Sequence, residues 1–284
     1  MIVGAMKCGT TTLADALKEH PAVSFCRVKE PEFFSKHADW RAGLSDYHAL
    51  FEQREGALYA EASTGLTFYP HFNLGVWNDL FAYDPGLKFS YLVRDPIDRI
   101  VSHYMHIYER GFTNAPLGEA LRKVPVLLNV SRYHAQIAPF IERFGRQRVL
   151  ILDFQRLVSD RAATLREVAA FAGIDPEGFP TAAKHSNASI GGTKPHHRFD
   201  DPGHWARHLR RVVPKPLRER TWRMLTRPGS RSFTAKPEFT AQQKEAIVRM
   251  LATDIVALGT LMDRDLSEWF AHGGLPCPFV PHTP

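Results

Sequence analysis

Cysteine is scarce. The 284 residues hold three, Cys8, Cys26 and Cys277, too few and too scattered for a disulfide framework or a thiolate metal site. That usage fits a reducing compartment, and the expected location is the cytoplasm. No run of about 18 apolar residues is present, so a membrane-spanning helix is not expected. The first residues read as a core strand rather than as a charged region followed by an apolar signal segment, and the chain reads as soluble. Histidines number 14, yet none form a convincing ligand set. His196 and His197 are adjacent, and His103 and His106 can share a helix face but lack a third partner, so no metal site is expected. Internal repeats and low-complexity tracts are also missing.

With 44% hydrophobic and 11% aromatic residues, the chain has enough apolar surface for a full core, most simply one α/β domain over 1–284. Its net charge of +6 is unevenly spread. Between His204 and Pro237 ten Lys and Arg face Glu219 alone, a net +9, so the remainder carries −3. That segment suits an anionic surface or an acidic substrate, or is a solvated helical face with arginine stems lying over apolar surface. Nucleic acid is not an expected partner, and the sequence is silent on oligomeric state.

The most informative stretch comes first. Ile2 to Gly4 reads as a short buried strand, Ala5 to Gly9 as a glycine-bracketed turn carrying Lys7 and Cys8, and Thr10, Thr11 and Thr12 as the start of a helix. Such a turn bends around a phosphate, because glycine admits close backbone approach and the free amides of a helix start favour negative charge. Gly4 and Gly9 have the spacing of the nucleoside-triphosphate pattern G-x-x-x-x-G-K-[ST], but Thr10 stands where that pattern needs lysine. The lysine has moved into the loop, which suits a nucleotide whose 5′ end is not an ordinary triphosphate.

A second motif follows another apolar run. Phe89 to Val93 reads as a buried parallel strand ending in Arg94-Asp95-Pro96, after which Ile97, Ile100, Val101, Tyr104, Met105 and Tyr108 keep helical spacing. Pro96 suits the first turn. Arg94 is thereby placed at the carboxyl end of a strand, where open α/β sheets bind ligands, with Ser102 about two turns into the helix. A guanidinium fork and a hydroxyl are a phosphate clamp.

Between the two, Val23 to Cys26 reads as a strand leading into Lys29-Glu30-Pro31-Glu32-Phe33-Phe34. The residue before proline is expected to be extended, which would present the Glu30 carboxylate at the strand end. Glu32 is its competitor as a base. Further on, Leu58 to Ser63 and Val149 to Leu152 read as strands. Thr164 to Phe171, capped by Gly173, and a final helix from Thr240 through Met262 have helical spacing. Gly111 to Pro125 reads as a mobile acceptor-binding loop. The alternation of strand and helix predicts an open, P-loop-like parallel sheet with helices on both faces, in a single domain.

These motifs resemble those of the PAPS-dependent sulfotransferases, in particular bacterial members related to the heparan-sulfate type. The resemblance implies that Lys7, Cys8, Gly9, Thr10, Thr11 and Thr12 hold the 5′-phosphosulfate of PAPS. It implies also that Arg94 and Ser102, in R-D-P-x-x-R-x-x-S with Arg99, bind the 3′-phosphate. By the same matching, Glu30 in K-E-x-x-F-F takes the acceptor proton. Lys194, in the glycine-containing loop of a lid spanning 187–237, is a further candidate for the 3′-phosphate. The implied reaction moves a sulfuryl group to a hydroxyl, or less readily an amine, of a carbohydrate, lipid or small-molecule acceptor, leaves PAP, and needs no metal. One departure matters: Ala62 stands where the family often has the lysine of E-K-[ST]-P, which leaves Lys7 as the main cation near the sulfonate. The resemblance covers the nucleotide motifs and the glutamate segment well and the last third weakly. A P-loop kinase, which needs lysine at position 10 and a magnesium site, and a noncatalytic nucleotide- or polyanion-binding module are the alternatives.

Overall fold

Ile2–Gly4 (β1) is the strand on which the architecture turns, because the chain runs out to one side of it and returns on the other. The computed structural model describes residues 1–37, 39–179 and 233–276. After β1 the helix Thr10–Glu19 (α1) leads to Val23–Phe25 (β2). Two short helices, Phe33–Lys36 (α2) and Leu44–His48 (α3), precede Leu58–Ala60 (β3). Val76–Tyr83 (α4) then crosses to Phe89–Val93 (β4), which pairs in parallel with β1. The long helix Pro96–Glu109 (α5) begins with its proline at the first turn and the Asp95 side chain accepting the Asp98 amide at 2.8 Å. Leu117–Lys123 (α6), Val126–Asn129 (α7) and Tyr133–Phe144 (α8) follow, then Val149–Asp153 (β5), parallel to β4. Phe154–Ser159 (α9), Arg161–Ala172 (α10), Ala241–Met262 (α11) and Ser267–Ala271 (α12) complete the described elements.

The two hydrogen-bonded groups of strands, β1-β4-β5 and β2-β3, are joined through Ile2. Its amide donates to the Glu61 carbonyl at 2.8 Å and its carbonyl accepts the Ser63 amide at 3.0 Å. The order is therefore β2-β3-β1-β4-β5, and the sheet is parallel throughout, as the strand-helix alternation predicted. Every residue of β4 is buried, although successive side chains point to opposite faces, so both faces of the sheet are covered. One core runs through the described residues from Ile2 to Phe270. Because the strands are parallel, all their carboxyl ends open on one edge. The chain reverses direction across the sheet between β1 and β4, the position at which open α/β sheets bind ligands.

Several expectations are corrected. Residues 111–125 are not simply a loop: α6 forms there, since Leu117 and Ala120 find the core and Tyr104 donates its hydroxyl to the Ala115 carbonyl at 3.0 Å. The helix through Met262 is not the last one, because α12 follows it and buries Trp269 and Phe270. On α11 itself Val248 takes a core position while Met250 is exposed. The lid expected over 187–237, Lys194 included, lies outside the described residues except for its end at 233–237.

The start of α11 carries the Thr240 cap its sequence suggested and extends it to a capping box: the Thr240 hydroxyl accepts the Gln243 amide, and the Gln243 side chain accepts the Thr240 amide. Thr240→Ala removes the side-chain half and is expected to cost about 1 kcal/mol. Urea unfolding monitored by circular dichroism checks this; the midpoint should fall with the slope unchanged.

Candidate active site

The loop after β1 is held open by close packing. Gly4 sits at φ 154°, and a Cβ there would meet Thr67 Oγ1 at 2.1 Å; that hydroxyl donates to the Val3 carbonyl at 2.6 Å. Gly9, at φ 88°, ends the loop against the Phe154 ring, which a Cβ would approach to 2.7 Å. The first intrahelical bond of α1 runs from the Leu13 amide to the Gly9 carbonyl at 3.2 Å, and no side chain caps the helix. The amides of Thr10, Thr11 and Thr12 are thus left as donors at the positive end of the helix dipole. Cys8 is engaged inside the fold: its thiol is buried 3.6 Å from the Tyr133 hydroxyl, burial pushes its pKa up to about 11, and its amide donates to the Ala5 carbonyl at 3.1 Å.

Lys7 adopts φ 70° and is half-buried. Burial lowers its pKa; Glu109 and Glu30 act against that, and Lys29 and Arg110 add to it. It makes no hydrogen bond or ion pair among the described residues. A partly desolvated ammonium of this kind retains attraction for an incoming anion.

Arg94, at the end of β4, lies 4.7 Å over the Phe154 ring, the same ring that packs on Gly9. Phe154 is the shared wall that joins the two motifs, and the sequence marked it only as the residue after a strand. The Arg94 guanidinium reaches Asp98 Oδ2 at 3.2 Å, and its Nε is buried without a partner. Asp98 is also held by Lys236 at 2.5 Å. Partial burial would raise the Asp98 pKa, but the Lys236 hydrogen bond and the Arg94 charge outweigh it and the net direction is down. Lys236 belongs to the basic segment and was not anticipated at this edge. Ser102 is half-exposed on the second turn of α5. Arg99, by contrast, is a core residue: fully buried, it donates to Ser131 Oγ at 2.6 Å, to the Leu127 carbonyl, and lies 3.2 Å from His103 Nδ1.

Glu30 is exposed and lines a cleft with Thr10, Thr11, Lys29 and Ala62. Its backbone is not the extended one expected before proline. Glu30 has φ 50° and Glu32 φ 52°, both left-handed, at a cost of about 1–3 kcal/mol each. Tertiary bonds override the local preference: the Glu32 amide donates to Ser63 Oγ at 3.1 Å, and the Glu32 carboxylate accepts the Gly65 amide at 2.9 Å and the Ser35 hydroxyl at 2.5 Å. Burial raises the Glu32 pKa, while the Ser35 and Gly65 bonds oppose the rise.

A family model described as "Sulfotransferase domain" matches residues 1–191. The chain belongs to this family. Relatives include human "Carbohydrate sulfotransferase 15", 25% identical over 66% of this chain and 46% of that protein. Another is mouse "Heparan sulfate glucosamine 3-O-sulfotransferase 3A1", 26% identical over 82% and 61%. The chain thus spans less than two thirds of the length of either relative. A solved sulfotransferase from Alicyclobacillus acidocaldarius shares the fold, with a TM-score of 0.66 at 24% identity, covering 94% of this chain and 96% of that one. Among the described residues of this sulfotransferase, no helix is long and apolar enough to cross a membrane.

Beside the site, the sulfotransferase buries a further carboxyl group, Glu61, whose Oε2 accepts the Ser63 hydroxyl at 3.0 Å. Burial pushes Glu61 up to about 7, with the Ser63 bond opposing. Since the folded pKa lies above the unfolded value of 4.5, the folded state holds the extra proton between these two values. The contribution to stability is therefore lost as pH rises from 4.5 through 7. Glu61→Gln abolishes this dependence: its stability relative to the parent is expected to rise by about 3 kcal/mol between pH 4.5 and 8. Paired urea titrations across that range measure the difference.

Proposed function

We propose that this sulfotransferase uses PAPS as donor and passes its sulfuryl group to a hydroxyl of a saccharide acceptor, leaving PAP, in the cytoplasm. The observation that carries the reading is the Phe154 ring, against which both the phosphate-binding loop and the Arg94 fork pack. The residues fit the donor nucleotide. Three helix-start amides and Lys7 suit its 5′ end, and the unpaired Arg94 Nε with the Ser102 hydroxyl suits a 3′-phosphate. The saccharide class is supported by the printed names of the relatives, which are carbohydrate and heparan sulfate sulfotransferases.

PAPS, when bound, supplies an activated sulfuryl group carried on a phosphate leaving group. Glu30 accepts the proton of the acceptor hydroxyl as its oxygen closes on sulfur. Its exposed carboxylate shares a cleft wall with Thr10 and Thr11, so the base and the helix-start donors face the same space. Lys7 and the Thr10 to Thr12 amides hold the charge that develops on the departing phosphate, fixed dipoles that need no rearrangement during transfer. Ala62 puts a methyl group on that wall, where Lys18 and Lys29 are the lining cations, and Lys7 stands in the loop before Thr10. Asp98 and Lys236 orient Arg94 from its outer side.

Calorimetry is expected to show PAP bound more tightly than the same nucleotide without its 3′-phosphate; equal affinities would overturn the donor assignment. Arg94→Ala should weaken PAP binding by about 1.5–3 kcal/mol, the range for a charge-assisted hydrogen bond. Glu30→Gln should keep PAP affinity while slowing single-turnover transfer by about 100- to 10,000-fold. Near-normal turnover in that variant would place the base elsewhere.

A further inference from the structure

Glu30 itself makes no hydrogen bond among the described residues, yet a base must be held at hydrogen-bond reach of the proton it takes. Upstream, the last backbone ties are the Cys26 amide to the Ala60 carbonyl at 2.8 Å and the Arg27 amide to the Leu50 carbonyl at 3.0 Å. Downstream, the next residue is Pro31, whose ring fixes its φ, and then comes Glu32. Whatever fixes Glu32 therefore fixes Glu30 through one stiff residue.

Glu32 is fixed by three hydrogen-bond partners. Its carboxylate takes the Gly65 amide and the Ser35 hydroxyl, whose single proton is shared with the Glu32 carbonyl at 3.1 Å, and its amide is taken by Ser63 Oγ. Ser63 Oγ in turn donates to Glu61. These bonds tie the Lys29–Glu32 segment to the chain after β3 and to the first turn of α2. The carboxylate lies flat on Gly65: a Cβ there would come within 2.0 Å of Glu32 Oε2 and 3.0 Å of the Phe72 ring. Only a residue without a side chain permits the tether.

We infer that Glu32 is the positioning residue for Glu30, its buried carboxylate clamping the acceptor-side loop onto Gly65 and Ser35. This rests on the donor reading above for its chemical consequence, but the tether itself does not. Glu32 is not the base on this view, because both its oxygens are engaged inside the fold and the residue is buried.

Gly65→Ala is the decisive variant, since it leaves both carboxylates in the chain and displaces only the tether. Gly65→Ala and Glu32→Ala are each expected to lower kcat by about 10- to 100-fold through misplacement of Glu30, with PAP affinity within about twofold of the parent. Glu32→Gln, which keeps an acceptor for Gly65 and a polar partner for Ser35, should restore kcat to within about fivefold. Hydrogen exchange of residues 28–36 should quicken in the Gly65 and Glu32→Ala variants and not in Glu32→Gln; it reads the tether without any chemistry. A Glu32→Gln protein as inactive as Glu30→Gln, with unchanged exchange, would make Glu32 the base and overturn the inference. Parental kcat and exchange in both tether variants would overturn it too. Quickened exchange in a protein whose parent transfers nothing from PAPS would establish the tether and overturn the donor reading. If Gly65→Ala unfolds, as thermal melting would reveal, Glu32→Ala with its Gln rescue carries the test.

Discussion

The parallel pairing of β1 with β4 is the constraint on which the rest depends. Ile2 faces Ser90, and the Ala5 amide donates to the Leu92 carbonyl at 2.8 Å, so the two chains leave the sheet side by side. Each strand is too short to stand alone. Their stability comes from burial on both faces, where Val3, Tyr91, Leu92 and Val93 are wholly removed from water. Because the pairing is parallel, the glycine loop and Arg94 must emerge at the same edge. Phe154, arriving from the neighbouring β5, then fills the gap between them.

That edge concentrates carboxylates as well as cations. Asp95 caps α5 and meets His272 at 2.7 Å, Asp98 holds Arg94 and Lys236, and Asp153 caps α9 and pairs with Arg264. Basic side chains from the C-terminal part of the chain thus reach acidic groups at the ends of β4 and β5. The Asp98 pairs are partly exposed and contribute little individually, whereas Asp95 and Asp153 are buried. Their effect is geometric, since the capping carboxylates start the helices on which Ser102 and Phe154 stand.

The loops after β1 and β2 are built differently. Positive φ at Lys7, Glu30 and Glu32 places three charged residues in backbone conformations that side chains disfavour, and all three lie in loops at this edge. Each is held from outside: Lys7 by the tight turn between Gly4 and Gly9, and the glutamates by the bonds of Glu32 to Gly65, Ser35 and Ser63. Of the three, Lys7 is half-buried, Glu32 is buried and Glu30 alone is exposed, so the held backbone presents one free carboxylate beside two enclosed charges.

By itself the sequence determined the strands and their parallel pairing, and it singled out the two motifs that meet at one sheet edge. Those signals are local: an apolar run, a glycine pair, a proline in a first turn and a threonine cap each act within one element. The start of α11 at Ala241 and the end of β4 at Val93 could be read for that reason. Only the tertiary structure decided what touches across elements. Phe154 lies 60 residues from Arg94 in the chain, and nothing in its neighbours marks it as the ring on which Arg94 rests. Arg99 and Arg94 stand in one motif, yet three buried partners make the first a core residue, while the second lies over Phe154 and bonds Asp98. Glu30 before a proline looked extended, and it became left-handed because Glu32 is bonded to residues more than 30 positions away. Side-chain direction is a long-range property, set by which buried donors and acceptors must be satisfied once the sheet has closed.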